Sequence, residues 1–227
     1  MKSTLRSTKK LDTALNGEIS KLKKPNILEF GVQIGSSTTK FIEICKKKNG
    51  KLFSIDIDDC SKLFNNKLWK FIKSRDDNFK YIFKRIPSKI DLIYLDTIHT
   101  AKHVEKIIYA YFDRLKVNGL FLIDDISWIP YLRKNPYNNF YCEINNKETF
   151  DLILDIFNNN VENIEIKFSF EGTGTCIIKK ISNKKLNSKK KNLYKREICK
   201  KFIKKILKKF QIIHVLFFFI NSSIFNV

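Results

Sequence analysis

The sequence lacks the features of a disulfide-stabilised secreted protein. Its cysteines are odd in number and form no C-x-x-C pair: Cys45, Cys60, Cys142, Cys176 and Cys199. No basic segment followed by an apolar segment of signal-peptide type stands at the start of the sequence. We therefore expect reduced cysteines and a cytoplasmic protein.

A long apolar run is also lacking. Residues 212–220 are apolar, but they are fewer than the roughly 20 residues that a transmembrane helix needs. They follow residues 200–210, KKFIKKILKKF, in which the apolar side chains and six lysines fall on opposite sides of a helix. This pattern predicts a basic amphipathic helix, and residues 198–220 are a candidate for peripheral contact with the inner face of an anionic membrane. A nucleic-acid arm or a subunit contact is the alternative.

Acidic residues are few, with 23 Asp and Glu against 44 Lys and Arg and a net charge of +21. Residues 182–227 carry +12 of this charge, which leaves +9 for residues 1–181. Much of the basicity therefore belongs to the tail. The sequence is also poor in glycine and proline, with seven and four, and rich in Lys, Asn, Ile and Phe. Such a composition is typical of a biased genome, so the charge is weak support for nucleic-acid binding.

A length of 227 residues suits one domain with an appendage. We divide the chain into an N-terminal helix packing on the domain (1–24), the domain itself (25–182) and a basic amphipathic and apolar tail (183–227). The N-terminal helix is indicated by apolar residues at spacings of four, four and three: Leu11, Leu15, Ile19 and Leu22.

The stretch Asn26–Ile34, NILEFGVQI, predicts a buried strand followed by a glycine turn and a helix start. Gly31 can adopt positive φ, and Gly35 has no Cβ to obstruct a ligand. Ser36 or Ser37 can cap the helix, whose N–H groups point toward the turn. Such a turn suits a nucleotide-like ligand, although a plain strand-to-helix turn explains the same residues.

A second short strand, Lys51–Ile57, ends in an acidic stretch that begins with Asp56. In an open parallel sheet, ligands bind at the carboxyl ends of the strands, so Asp56 is expected beside the glycine turn. A carboxylate there can accept hydrogen bonds from ribose hydroxyls. The alternative is a solvated acidic turn.

Further along the chain, strands and helices alternate. We predict helices over 61–73, 99–116 and 145–160 and strands over 79–83, 91–97, 120–123, 164–170 and 175–181. Asn118-Gly119 is expected to close the second of these helices. The turn at 171–174, EGTG, pairs the last two strands as an antiparallel hairpin. The predicted fold is α/β: a seven-stranded, mostly parallel sheet with a C-terminal hairpin and helices on both faces.

Three acids follow the two central strands: Asp96 after 91–95, and Asp124 and Asp125 after 120–123. Their carboxylates are expected at one edge of the sheet, where they would repel one another. A divalent cation such as Mg²⁺ or Ca²⁺ would remove that repulsion. The alternative is that Asp96 binds substrate or an amino-acid moiety directly and that no metal is bound.

The motifs ILEFGVQIGSST, SIDID, DLIYLDTIH and GLFLIDDI, in this order, resemble those of class I S-adenosylmethionine-dependent methyltransferases, which have a Rossmann-like fold. The best likeness, over 25–181, is to O-methyltransferases of the macrolide-sugar and cephalosporin-biosynthesis kind. Phe83-Lys84-Arg85 departs from the pattern, because it offers no acid for an adenine contact. The resemblance implies a cofactor site for S-adenosylmethionine built from Glu29, Gly31, Gly35, Ser36, Ser37, Asp56 and Asp96. It also implies a Mg²⁺ site at Asp96, Asp124 and Asp125.

These residues predict methyl transfer to a small hydroxylated acceptor such as a sugar or a polysaccharide precursor. Asp96 and His99 are the catalytic candidates, with His99 as general base ahead of Lys102 and His103. The aromatic residues of 128–141 are a candidate acceptor lid, with plain packing as the alternative. Two other functions stay open: an RNA methyltransferase or RNA-binding protein that uses the basic tail, and a non-catalytic membrane-tethered scaffold. LDTIH stands where an N-P-P-Y-like tetrapeptide would follow strand four, which argues against amino-methylating nucleic-acid enzymes.

Overall fold

Seven strands form one mixed sheet in the computed structural model, which describes residues 9–128 and 140–188. The strand order is β3-β2-β1-β4-β5-β7-β6, and β1 to β5 are parallel while β6 and β7 are antiparallel. The predicted fold class is therefore confirmed. The strands are β1 Asn26–Phe30, β2 Lys51–Asp56, β3 Trp69–Lys73, β4 Ile90–Leu95, β5 Leu115–Asp124, β6 Ile164–Ser169 and β7 Thr175–Lys180.

Helices cover both faces of this sheet. Successive residues of a strand point to opposite faces, so in β1 Ile27 and Leu28 belong to two separate hydrophobic clusters. The cluster of Ile27 includes residues of α1 and α2, and the cluster of Leu28 includes residues of α4 and α5. The helices are α1 over 9–14, α2 Ser36–Lys48, α3 Phe79–Phe83, α4 Ala101–Tyr111 and α5 Phe140–Asn159.

The predicted elements between β2 and β4 are wrong. Residues 61–73 do not form one helix, because the turn near Leu63 is followed by strand β3, and residues 79–83 are a helix rather than a strand. In β3 the sequence WKFIK pairs in parallel with β2, which places Trp69 beside Leu52. Apolar residues at positions 68, 71 and 72 fit a helical spacing as well as a strand, and only the pairing with β2 distinguishes the two. The run 79–83 is too short for periodicity to decide.

The long helix predicted over 99–116 is also shorter in the structure. It ends at Tyr111, a single 3-10 turn follows over Phe112–Arg114, and β5 begins at Leu115, which pairs with Ile90 of β4. Asn118, with φ 64, and Gly119 therefore lie within a bulged part of β5 rather than at a helix end. The extended pairing with β4 outweighs the helical pattern of the sequence.

The predicted N-terminal helix is seen over residues 9–14 and a 3-10 turn at Ile19–Lys21. The chain stays in contact with the domain up to Asn187, whose N–H donates to Asn160 Oδ1 at 2.6 Å. The amphipathic tail segment, 198–220, and most of the aromatic loop lie outside the described residues. Within the described ranges no helix is long and apolar enough to cross a membrane.

Candidate functional site

The carboxyl ends of β1, β2, β4 and β5 lie at one edge of the sheet, which we call the carboxyl edge. Register places Phe30 beside both Ile55 and Leu95, and Leu95 beside Ile123. The residues that follow these strands are therefore neighbours in space. They include the glycine turn at 31–35, the end of β2 and the three acids after β4 and β5.

Gly31 is the point where β1 leaves the sheet. Its φ is +90°, and a Cβ at this position would lie 1.9 Å from the backbone oxygen of Asp96. Its N–H donates to Ile55 O at 2.9 Å, and the N–H of Asp96 donates to Phe30 O at 3.0 Å. Only glycine tolerates both the positive φ and the close approach of the chain at the end of β4. The glycine in the sequence therefore marks the turn correctly.

Gly35 begins helix α2. It is in the left-handed region with φ 81 and ψ 22, and a Cβ there would lie 2.6 Å from the ring of Phe64. The first turn of α2 therefore starts next to the glycine turn, at the carboxyl edge. The predicted capping by Ser36 or Ser37 is wrong, because Gly35 is the N-cap residue and no side chain caps the helix. A helix N-terminus favours groups of negative charge.

Glu29 is completely buried and lies just before the turn. Its carboxylate accepts hydrogen bonds from Ser37 Oγ at 2.6 Å, Thr38 Oγ1 at 2.9 Å and Ser54 Oγ at 2.5 Å. Burial raises its pKa to about 7, although the three hydroxyl groups act in the opposite direction. Glu29 and Ser37 thus hold the glycine turn from its buried side. Ser36, half-buried at the start of α2, is left as the better-placed serine for a ligand.

Asp56, at the end of β2, joins the second strand to the glycine turn. Its Oδ2 accepts hydrogen bonds from the N–H groups of Val32 at 2.7 Å and Gln33 at 3.1 Å, and its Oδ1 accepts from that of Asp58 at 3.0 Å. Burial acts to raise the pKa of Asp56, but these N–H groups outweigh it and the pKa is lowered. A carboxylate has about four acceptor positions, so Oδ1 keeps capacity for a further hydroxyl.

An acid follows the third strand, which lies at Trp69–Lys73 rather than at the predicted 79–83. Asp76 comes three residues after β3 and is buried. Its Oδ2 accepts from Thr97 Oγ1 at 2.6 Å and lies 2.7 Å from His103 Nε2. Asp76 therefore fixes the loop after β3 to the start of α4. No local signal identifies this position, because WKFIK fits a helix as well as a strand.

The three predicted metal ligands, Asp96, Asp124 and Asp125, converge, and we call them the acid cluster. Tyr94 OH lies 3.2 Å from Asp96 Oδ2 and 3.0 Å from Asp124 Oδ2. His99 Nε2 lies 3.4 Å from Asp96 Oδ1 and 3.5 Å from Asp125 Oδ2. Tyr94 and His99 thus connect all three carboxyl groups at the carboxyl edge.

A lysine from α1 enters the same cluster. Lys10 Nζ lies 2.5 Å from Asp124 Oδ1, 3.6 Å from Asp125 Oδ1 and 2.6 Å from Thr173 Oγ1 of the β6–β7 turn. Its side chain is buried. This position of Lys10 does not follow from the sequence, because the contact joins residues more than a hundred positions apart and nothing local distinguishes Lys10 from Lys9.

The acid cluster alters the ionisation of the two bases that contact it. Burial lowers the pKa of His99, but the hydrogen bond with Asp96 and the charge of Asp125 reverse this and raise the pKa to about 9. Burial lowers the pKa of Lys10, but the charges of Asp124 and Asp125 outweigh the effect of burial. The pKa of Lys10 is therefore raised. In this arrangement both bases are cationic at neutral pH.

The arrangement does not fit a divalent cation at Asp124. Lys10 and Thr175 Oγ1, at 3.1 Å, use its Oδ1, and Tyr94 uses its Oδ2. Mg²⁺ needs near-octahedral oxygen ligands at about 2.1 Å, and no group of three or more His, Cys, Asp or Glu in the described ranges is arranged to hold a metal ion. A metal at this cluster stays a prediction, and no step below depends on it.

A protein-family profile described as a methyltransferase domain matches residues 28–126, which contain the glycine turn, Asp56 and the acid cluster. A search of curated proteins finds no match. Among solved structures, the chain resembles the MycE methyltransferase of the mycinamycin biosynthetic pathway, in complex with Mg and SAH, with 18% identity and a TM-score of 0.56. The aligned part covers 81% of this chain and 51% of MycE, so the chain spans about half the length of that protein.

Two further structures show the same fold. A Staphylococcus aureus protein described as a caffeoyl-CoA O-methyltransferase has 18% identity and a TM-score of 0.55, over 75% of this chain and 80% of its own. A Clostridium thermocellum protein described as an rRNA methylase has 14% identity and a TM-score of 0.56, over 77% of this chain and 97% of its own. The match to the methyltransferase-domain profile is thus confined to residues 28–126, and the chain has the fold of class I S-adenosylmethionine-dependent methyltransferases, with small-molecule O-methyltransferases among the structures that it resembles.

Proposed function

We propose that the chain transfers the methyl group of S-adenosylmethionine to a hydroxyl oxygen of a small acceptor, such as a sugar or a polysaccharide precursor. The observation that carries this proposal is the position of the acid cluster beside the glycine turn. The backbone oxygen of Asp96 lies against Gly31. Its carboxylate is connected to that of Asp124 by Tyr94 and to that of Asp125 by His99. A donor pocket and a set of groups able to bind a hydroxyl thus share one edge.

The cofactor site is proposed at residues 29–37 and Asp56. Gly31 and Gly35 allow the positive φ of the turn and its close approach to Asp96 and Phe64. Ser36 donates to the amino-acid part of the ligand, and Asp56 accepts from a ribose hydroxyl through Oδ1. Glu29 acts through Ser37 and holds the turn. When bound, the cofactor supplies a methyl group on a positively charged sulfur, and the carboxylates of the acid cluster favour that charge.

For the transfer itself, the acceptor oxygen forms a bond to the methyl carbon as the sulfur–methyl bond breaks, and the acceptor proton leaves to a base. His99 is the proposed base, because its Nε2 lies at the cluster, 3.4 Å from Asp96. Because the acid cluster raises the pKa of His99 to about 9, the ring is mostly protonated at neutral pH. Only its neutral fraction accepts a proton, and that fraction grows as the pH rises toward 9, while Asp96 holds the ring and orients the acceptor. S-adenosylhomocysteine and the methylated acceptor are the products.

The acceptor is proposed to lie near Trp128, three residues beyond Asp125. The residue Trp128 is 40% exposed, and its ring contacts that of Phe150 with centroids 6.1 Å apart. An exposed ring fixed on one side by another aromatic is a suitable stacking surface for a sugar. Tyr131 and Tyr137 lie in the undescribed range, and Tyr141 belongs to α5.

The experiment has two stages. Calorimetry of the folded full chain with S-adenosylhomocysteine tests the cofactor site, and incubation with methyl-labelled S-adenosylmethionine and a panel of sugars and nucleotide-activated sugars tests the acceptor. We expect saturable cofactor binding and label on an acceptor oxygen. Failure of a folded sample to bind the cofactor overturns the methyltransferase proposal, whereas binding without label on any hydroxyl overturns only the acceptor class.

RNA is a second candidate acceptor, favoured by the net charge of +21 and by the similarity to the Clostridium thermocellum protein. Phosphate contacts by lysines make binding strongly salt-dependent. If RNA is the acceptor, label appears on RNA in preference to sugars, and deletion of residues 183–227 abolishes salt-sensitive RNA binding. Equal labelling of sugars by the full and the truncated chain counts against RNA.

Peripheral membrane contact through residues 198–220 is proposed from the sequence alone. The alternation of lysines and apolar residues in KKFIKKILKKF supports it. Sedimentation of the full chain with vesicles containing phosphatidylserine, and its loss at high salt, is the expected result. Equal sedimentation with uncharged vesicles contradicts an electrostatic contribution.

A further inference from the structure

The N-terminal helix α1 is fixed to the domain on two sides. Leu11 and Leu15 are fully buried in the cluster of Ile27. On the other side, Thr13 Oγ1 donates to Glu171 Oε2 at 2.5 Å. The position of Lys10 between these two anchors is therefore set by packing and by hydrogen bonding, rather than by its own ion pair alone.

The Lys10 ammonium has three N–H donors, and three acceptors surround it. They are Asp124 Oδ1 at 2.5 Å, Thr173 Oγ1 at 2.6 Å and Asp125 Oδ1 at 3.6 Å. Only 7% of the residue is exposed. Asp124 and Thr173 are within hydrogen-bond distance of the ammonium, whereas Asp125 is within ion-pair distance only. A buried charge held by a carboxylate and a hydroxyl group in this way is a built contact, unlike an exposed lysine that samples many positions.

Lys10 and a divalent cation cannot share Asp124. The ammonium already lies on Oδ1, and the other oxygen is 3.0 Å from Tyr94 OH. A metal bound to either oxygen would come within a few ångström of the ammonium, where two positive charges in a buried site repel strongly. One cation at a time can neutralise this carboxylate.

We propose that Lys10 is the resident cation of the acid cluster, in the place that the sequence predicts for a divalent metal, and that it positions Asp124 and Asp125 without one. The contacts within the cluster agree with this role. Lys10 connects Asp124 to Asp125, His99 connects Asp125 to Asp96, and Tyr94 connects Asp96 to Asp124. The three carboxylates are thus held in a closed ring of contacts made by the side chains of this chain. The identity of the cation does not depend on which acceptor is methylated.

The proposal is tested by titrating the full chain with Mn²⁺. Binding is measured as the loss of the electron paramagnetic resonance signal of hydrated Mn²⁺. We expect no binding at the cluster in the wild type. Lys10→Met removes the ammonium and keeps the aliphatic bulk, so at least a tenfold gain in Mn²⁺ affinity is expected. The double variant Lys10→Met, Asp124→Asn should lose that gain.

Two control variants separate this effect from general electrostatics. Lys9→Met removes one positive charge from the same helix, but Lys9 is exposed and contacts Glu171 rather than the cluster, so no gain is expected. Lys10→Arg keeps a cation and should leave Mn²⁺ unbound. Stoichiometric Mn²⁺ binding by the wild type that Asp124→Asn abolishes would overturn the proposal.

A second measurement uses the unmodified chain, in case Lys10→Met does not fold. The affinity for S-adenosylhomocysteine is measured by calorimetry with excess EDTA and again with millimolar Mg²⁺. We expect the two values to agree within about twofold, because the cluster already holds its cation. A more than tenfold dependence on Mg²⁺ would mean that a metal replaces Lys10, and the proposal would be wrong.

Discussion

Ser37 Oγ lies 2.6 Å from Glu29 Oε1, and this contact ties the first turn of α2 to the last buried residues of β1. Thr38 and Ser54 donate to the other carboxylate oxygen, and the indole N–H of Trp69 donates to Ser54 Oγ at 2.9 Å. A single buried carboxyl group therefore organises three strands and a helix below the glycine turn. Buried networks of this kind matter because any unsatisfied member is costly.

Glu29→Gln should change how stability depends on pH. Burial raises the pKa of Glu29 to about 7 in the folded chain, above its usual value of 4.5. The folded state therefore holds this proton more tightly than the unfolded state, and the stability that it contributes is fully present below pH 4.5 and lost as the pH rises to 7. The difference is on the order of 3 kcal/mol. Urea unfolding at pH 5 and pH 8 should show the variant gaining relative to the wild type at the higher pH.

Glu165→Gln is the matched control for this prediction. Glu165 lies on the exposed side of β6 next to Lys179, so its replacement should leave the pH dependence of unfolding unchanged. If Glu29→Gln gives a curve parallel to that of the wild type, Glu29 is ionised in the fold at both pH values and the prediction is wrong.

Much of the carboxyl edge could be predicted because its signals are local. A buried strand, a glycine with positive φ and an acid at a strand end each follow from a few neighbouring residues, and Gly31, Asp56 and Asp96 lie where these rules place them. The region between β2 and β4 could not be predicted in this way. The run from Leu68 to Ile72 fits two periodicities, and its pairing with β2 decides between them.

The acid cluster shows a second limit of the sequence. The convergence of Asp96, Asp124 and Asp125 follows from the rule that parallel strands end at one edge of the sheet. The same rule does not predict which cation contacts them. Lys10 arrives through the packing of α1 and the β6–β7 turn, which are separated by about three quarters of the chain. Mutual repulsion among acids predicts that a cation is needed and leaves its identity open.

Gly31→Ala should be far more destabilising than Gly17→Ala. Both glycines have positive φ, +90° and +79°, so both replacements strain the backbone by roughly 1–2 kcal/mol. Only at Gly31 does the new Cβ meet a backbone atom, Asp96 O at 1.9 Å, while nothing lies within 4 Å at Gly17. We expect a loss of at least about 3 kcal/mol in the free energy of unfolding for Gly31→Ala. Thermal unfolding of the two variants measures the difference, and equal losses would show that the close approach of β4 is absent.

Asp56→Asn should weaken the binding of S-adenosylhomocysteine. The change removes the charge from the carboxyl group that accepts from Val32, Gln33 and, in our proposal, a ribose hydroxyl. Hydrogen bonds to charged groups contribute about 1.5–3 kcal/mol, so calorimetry should show a loss of roughly 10- to 100-fold in affinity.

The control for Asp56 is Asp59→Asn. Asp59 belongs to the same acidic stretch but is exposed and accepts from the N–H of Ser61, away from the turn. Its replacement should leave the affinity within about twofold of the wild type. Similar losses for both variants would point to the overall charge of the loop rather than to a ribose contact.

His99→Gln should lower kcat while leaving cofactor affinity unchanged. Glutamine can still donate a hydrogen bond toward Asp96 but has no basic nitrogen, so a general base is removed and a loss of roughly 10²-fold in kcat is expected. His103→Gln provides the comparison, because His103 contacts buried Asp76 rather than the acid cluster. That variant should lower the unfolding temperature and change kcat little. Steady-state kinetics with labelled cofactor measures both, and a His99→Gln enzyme with the wild-type kcat would assign proton removal to another group.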